Sequence, residues 1–323
     1  MGDFVFDHDR VEPSLAAMEA RFDDVAARLR TVYGLRLPRH LAVFAAYLDA
    51  IGASGRRALA DGVGVSSGGI VRYFEDGGLA LTGRDGLDER LDCRFRCDAP
   101  EFVTVLWGDT DGLHFGLWYD DPAELPTQVV HNYARDSAET WSEALPTVLA
   151  QVRRRLDDAE RDAADDPDYD APDGARQRAE LLRAIEAFAE ADERACTQDG
   201  PVRWRGTPRP AILGGFGPAL PEGSGDPRGG YERYDERYQA YRARSPLVRE
   251  WIADAERELA AGLPAYALVL GRELHWLDAA DHREDALRLL TGAYRALGRD
   301  ALAEIAAVHY ANRDLRSVEV LVS

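Results

Sequence analysis

Residues 91–133 read LDCRFRCDAPEFVTVLWGDTDGLHFGLWYDDPAELPTQVVHNY. Phe95 and Cys97 alternate with Arg94 and Arg96, as in a strand. Phe102, Val103, Val105, Leu106 and Trp107 then form an apolar run that stops at Gly108-Asp109. Gly108-Asp109-Thr110-Asp111-Gly112 supplies the Asp and Gly residues that hairpin loops need. Leu113, Phe115, Leu117 and Tyr119 alternate with His114, Gly116 and Trp118, which predicts a strand with one buried face. Asp120-Asp121-Pro122 ends it, and a third strand is expected near residues 127–132. The stretch therefore predicts an antiparallel meander against which flanking helices can pack.

On the N-terminal side, Leu15, Met18, Phe22, Val25, Ala26, Leu29 and Val32 recur at helical spacing over residues 11–33, with Gly34 as the stop. A second helix carries Leu41, Phe44, Tyr47, Leu48 and Ile51 and is expected to close at Gly52. Residues 53–90 are Gly-rich, with a possible strand at 70–74. After the meander, Asp136 or Ser137 caps an expected helix, with Glu139 in capping-box spacing from Asp136. That helix would carry Trp141, Leu145, Val148, Leu149, Val152 and Leu156.

Residues 157–173 hold nine acidic side chains, two prolines and one Arg, a composition typical of a solvated, mobile connector. A boundary placed there divides the chain into an α/β domain (1–160), an acidic linker (161–174) and a helical domain (175–323). The fold class is α+β: an N-terminal domain with an antiparallel sheet and packed helices, then a mainly α-helical C-terminal domain. A chain of 323 residues has room for two cores. Pro201 to Gly230 is Gly- and Pro-rich and is expected to be irregular.

The net charge is −19, from 58 acidic and 39 basic residues, all of the latter Arg. Such acidity excludes nonspecific attraction to nucleic-acid phosphates and to anionic membrane surfaces. No apolar run approaches a membrane span. The N-terminal MGDFVFDHDR is acidic where a secretory signal is basic, so the cytoplasm is the expected compartment. Cys93, Cys97 and Cys196 do not make a disulfide scaffold.

Chemistry-bearing motifs are sparse. Gly214-Gly215-Phe216-Gly217 resembles a phosphate cradle only superficially, since no strand–turn–helix surrounds it and no Lys follows. Seven scattered histidines lack metal-ligand spacing, although His114 and His131 could approach each other across the sheet. No nucleophile elbow or zinc-protease motif is present. Glu256, Glu258 and Glu273 are carboxylates near the expected helical core. The segment Tyr231, Arg233, Tyr234, Arg237, Tyr238, Tyr241 and Arg242 is rich in the two residue types that dominate interface hot spots. It reads equally as an amphipathic helix with tyrosines inward and arginines outward.

DAPEFVTVLWGDTDGLHFGLWYDDPAELP resembles the central segment of the histone PARylation factor family, and AYRALGRDALAEIAAVHYANRD resembles its last helices. YGLRLPRHLAVF is similar to the family's N-terminal entry. The resemblance implies an N-terminal domain distantly similar to the SMI1/KNR4 group and a helical C-terminal domain. It also implies docking onto an ADP-ribosyltransferase catalytic domain, and a contributed Glu that takes the proton of an acceptor serine. In the family an Asp-Glu pair stands where this chain, anchored on Tyr266, has Gly262 and Leu263. Glu258, over a turn earlier, and Glu273, seven residues after the anchor, are the possible replacements, and Glu258 is the candidate taken. The family's Tyr-Arg docking pair falls on Tyr231 and Glu232, with Arg233 one place later. The expectation is an accessory protein without cofactor or metal and without catalysis of its own. It would bind a protein partner, an ADP-ribosyltransferase, through Tyr231, Arg233, Tyr234 and Arg237. The alternative is an SMI1/KNR4-like immunity or general protein-binding module, with no part in ADP-ribosylation.

Overall fold

The computed structural model describes residues 4–166 and 173–323. Helix α1 (Val11–Tyr33) buries Met18, Phe22, Val25 and Leu29, and α2 spans Arg39–Val63. Strands β1 (Val65–Ser67) and β2 (Thr82–Gly83) follow, then the meander β3 (Phe102–Gly108), β4 (Leu113–Trp118), β5 (Val129–Tyr133) and β6 (Thr140–Ser142). The remaining elements are α3 (Val148–Asp165), α4 (Gly174–Asp199), α5 (Tyr234–Arg242), α6 (Leu247–Ala260), α7 (Ala265–Leu277), α8 (Arg283–Ala296), α9 (Asp300–Ala311) and β7 (Leu321–Val322).

The expected α+β class holds. A five-stranded antiparallel sheet in the order β1-β3-β4-β5-β6 lies with the N-terminal helices, and the C-terminal region is helical. The β3–β4 hairpin pairs Phe102 with Trp118 and Trp107 with His114, with a bulge between Thr104 and Leu106. Its loop closes where Asp111 and Gly112 adopt left-handed backbone, as the Asp/Gly composition requires.

Helix α2 continues through Gly52 rather than stopping there. Gly52 alone is non-helical (φ 60°, ψ −167°) and kinks the helix, which resumes to Val63. A backbone that only glycine adopts readily is absorbed here as a bend because both flanks stay apolar and packed. Helix α2 packs against α1, α3 and α4, and Tyr47 meets Phe188 of α4 edge to face at 6.0 Å.

Four local expectations are corrected. Residues 89–101 form a 3-10 turn and further turns, not a strand. Their polar groups satisfy the backbone locally: Asp98 accepts from Phe95 N at 2.7 Å, and Arg94 donates to the carbonyls of Ala99 and Phe102 at 2.8 and 2.7 Å. Residues 69–74 are likewise a 3-10 turn. The helix expected from residue 136 begins only at Val148, behind Pro146 and the cap Thr147, whose hydroxyl accepts from Ala150 N at 3.1 Å. Trp141 lies instead in β6, held by pairing to β5, so tertiary pairing overrides the capping-box pattern. The acidic stretch from Asp157 to Asp165 is helix rather than connector, braced by Arg153–Asp157 at 2.9 Å and Arg161–Asp158 at 2.9 Å. Of the expected linker, residues 167–172 lie outside the described residues.

The sheet is covered on both faces, not one. Val103, Phe115, Leu117 and Val129 join the main core. On the other side Phe102, Trp118 and Val130 pack with Ala99 and Phe216. Arg272 of α7 lies over the Trp118 ring at 5.0 Å and pairs with buried Glu101 at 2.9 Å. Helix α7 is buried over nearly its whole length, Arg272 and Glu273 included, and both of these charges are paired inside the molecule. The chain end returns to the first half: β7 pairs with β2, and Asp92 accepts from Val320 N and Leu321 N at 2.8 Å. Among the described residues no helix is long and apolar enough to cross a membrane.

Candidate functional site

The Tyr/Arg segment is divided by its own periodicity. Tyr231–Arg233 form a 3-10 turn, and α5 follows from Tyr234. Arg237 and Tyr241, four residues apart, share the face turned to the core and are both buried. Tyr231 and Arg233 precede that face and stay in solvent, Tyr231 at 85% exposure. Tyr234 is half-buried, and its hydroxyl donates to Glu139 at 3.1 Å. Of the four residues expected to meet a partner, Tyr231 and Arg233 are open, Tyr234 is partly engaged, and Arg237 is turned inward.

Arg237 faces Glu273 of α7. Glu273 Oε1 accepts from Arg237 Nη2 at 2.6 Å and from Leu213 N at 3.1 Å, while Oε2 accepts from the Tyr241 hydroxyl at 2.8 Å. Glu273 has no solvent exposure. Burial pushes its carboxyl above the usual range, and Arg237 beside it pulls the other way. Three donors converging on one buried carboxylate fix α5 and the 201–230 segment to α7. That geometry gives Glu273 an internal duty and removes it from any substrate outside the molecule.

Glu258 of α6 lies nearer the surface. It is ion-paired with Arg228, which also reaches Asp254 at 3.2 Å and lies over the Tyr266 ring at 4.4 Å. Gly262, with φ 83°, ends α6 in a turn that leaves Leu263 partly exposed. Arg228 also joins this cluster to the buried pair, since its carbonyl accepts from Arg237 Nη1 at 3.2 Å. A run of contacts thus leads from Glu258 through Arg228 and Arg237 to Glu273. Glu256, the third carboxylate, pairs with Arg288 at 2.6 Å on the surface.

Arg228 was not singled out by its sequence, which is a Pro/Gly-rich loop. Neither were Asp120 and Arg209. Asp120 is fully buried and accepts from Arg209 at 2.6 and 2.5 Å, from Trp118 Nε1 at 3.1 Å, from Thr127 at 2.5 Å and from Ala219 N at 3.1 Å. This cluster anchors the 201–230 segment to the sheet. The remaining signal was the Asp120-Asp121-Pro122 break itself, read only as the end of a strand.

Gly214-Gly215 serves the same anchoring. Gly215 has φ 94°, and a Cβ there would lie 2.1 Å from the Thr140 carbonyl oxygen. The glycine lets the loop run against β6, where Phe216 N donates to that oxygen at 2.8 Å. His114 and His131 stand on opposite faces of the sheet, because His131 pairs with Phe115 and His114 with Asn132. His114 sits between Asp98 Oδ1 at 3.0 Å and the Gly112 carbonyl at 2.8 Å. Among the described residues no group of three or more His, Cys, Asp or Glu is placed to hold a metal.

The family model of histone PARylation factor 1 matches residues 58–201, from the second half of α2 through the whole sheet to α4. The match bears out the resemblance drawn from the meander. That family has its role in the regulation of ADP-ribosylation. No curated protein matches the chain.

Proposed function

We propose that this protein is an accessory factor of ADP-ribosylation that docks on the catalytic domain of an ADP-ribosyltransferase and modulates its activity or its choice of acceptor. The observation that carries the reading is Tyr231, a tyrosine 85% exposed and followed by the open Arg233, on a segment whose following turn is clamped to the core through Arg237 and Glu273. A rigid base presenting an exposed aromatic and a free guanidinium loses little conformational entropy on docking, and Tyr and Arg are the common anchors of interfaces. The family match supports the identity of the process.

The carboxylate such a partner would borrow is Glu258, at the end of the helix next to Gly262. To accept a proton from an acceptor hydroxyl it has to be released from its ion pair with Arg228, which occupies one of its oxygens. Docking that draws Arg228 to a partner anion would free it.

The test is retention of the ADP-ribosyltransferase catalytic domain of the same host by immobilised protein, wild type against Tyr231→Ala/Arg233→Ala. Retention by wild type and its loss in the variant supports the docking reading. Equal retention by both, or none by either, overturns it. Unchanged modification of serine acceptors in the presence of Glu258→Ala would remove Glu258 from the chemistry while leaving docking intact.

A further inference from the structure

A cleft of about 710 Å³ opens between the turn region before β3 and the segment that follows α9. Its volume falls in the range of small-molecule sites. Five arginines line it against two carboxylates, Asp314 and Glu319, in a chain whose net charge is −19. The surplus is smaller in effect than the count, because two of the five are already paired. Arg96 is neutralised by Asp278 and Asp314, and Arg313 by Asp278. Arg135 and Arg316 are exposed and have no ion pair among the described residues.

Arg94 sits deeper. It is more than nine-tenths buried and is held by the carbonyls of Arg90, Ala99 and Phe102, with no carboxylate within ion-pair distance. Carbonyls satisfy its N–H groups, while Asp98 and Glu101 offset its charge only from beyond ion-pair distance. His309 also lines the cleft; it is buried, and its Nδ1 has no hydrogen-bond partner. Burial and the neighbouring Arg94 and Arg313 keep this imidazole neutral. The opposite wall carries Trp107, partly exposed, with Phe95 edge-to-face at 5.6 Å. The cleft therefore combines an aromatic ring in its lining with a surplus of cations.

We propose that this cleft binds a nucleoside phosphate, with the phosphate between Arg135 and Arg316 over the charge of Arg94, and the planar base against Trp107. Guanidinium forks match phosphate oxygens two at a time, and base–aromatic stacking is tolerant of base identity. The docking surface at Tyr231 is not needed for this inference, and neither reading depends on the other.

Isothermal titration calorimetry of the full chain with ADP, pyrophosphate and adenosine separates the two halves of the ligand. ADP is expected to bind at least about tenfold more tightly than pyrophosphate, with adenosine weaker than both. Arg135→Ala/Arg316→Ala, at two exposed positions, is expected to weaken ADP by about tenfold or more. Arg135→Lys/Arg316→Lys is expected to recover part of the loss. No heat with ADP, equal binding of ADP and pyrophosphate, or wild-type ADP affinity in the double Ala variant would each overturn the proposal.

Discussion

Arg237 Nη2 lies 2.6 Å from Glu273 Oε1, and neither side chain keeps appreciable contact with water. The pair joins α5 to α7 across the irregular 201–230 segment, whose Leu213 N donates to the same oxygen. A buried pair is no stronger than a good apolar contact, but removing one partner leaves a bare charge in the interior. Glu273→Ala and Arg237→Ala are each expected to cost about 3–5 kcal/mol. The double variant should cost less than their sum, because the second removal relieves the charge left by the first. Urea titrations of the four proteins check this, and strict additivity would show that the pair is not coupled.

Asp120 is the other buried anchor, with five donors on its two oxygens. Burial pushes its carboxyl up, but the hydrogen bond and charge of Arg209 outweigh it, so the net shift is downward. A depressed carboxyl contributes stability above its unfolded value and loses it as pH falls through the folded one. Asp120→Asn is expected to destabilise by about 2–4 kcal/mol at neutral pH. It should also raise proteolytic cleavage within 201–230 before global unfolding. Cleavage at the wild-type rate would show that the segment has another anchor.

Asp192 of α4 gives a pH signature of opposite sign. Its Oδ2 accepts from Thr147 at 2.6 Å, while Oδ1 is buried without a partner. Burial raises its carboxyl to about 6. The folded value exceeds the unfolded one, so the group's contribution is present below the unfolded value and is lost as pH rises through about 6. At pH values above that, the ionised carboxylate costs on the order of 2–3 kcal/mol. Asp192→Asn is therefore expected to be more stable than wild type by about 1–2 kcal/mol at pH 8, the difference shrinking as pH falls to about 4. Thermal midpoints across that range decide it, and a difference independent of pH would refute the assignment.

Tyr231 and Arg233 bury almost nothing in the free protein. Tyr231→Ala/Arg233→Ala should leave stability within about 0.5 kcal/mol of wild type, as read by denaturant midpoint. Loss of partner retention in the same variant can then be assigned to the surface itself. A large destabilisation would show that the turn is part of the folding unit.

Much of the fold was legible locally. The β3–β4 hairpin came from an apolar run and an alternating stretch on either side of an Asp/Gly turn, and α1 from its three- and four-residue spacing. The exposed state of Tyr231 was not legible, because periodicity assigns a face only within a helix and this residue lies before α5. Glu273 reads in the sequence as one more helical carboxylate. What distinguishes it is contact with Arg237, 36 residues away, and with Leu213, 60 residues away. The helix expected at residue 136 failed for a related reason: a good cap pattern was outweighed by pairing of β6 with β5 and by the loop at Gly215.

The sequence by itself determined helix α1, the antiparallel meander and the family resemblance, since each depends on neighbours within one strand or helical turn. Tertiary structure alone decided which charges are spent inside the molecule and which remain available. Arg237 and Glu273 consume each other, Glu258 is held by Arg228, and Tyr231, Arg233, Arg135 and Arg316 are left open. Alternation and helical spacing record burial of apolar groups over short separations. The pairing of a charge depends on which distant segment arrives beside it, and that is fixed only when the whole chain has packed.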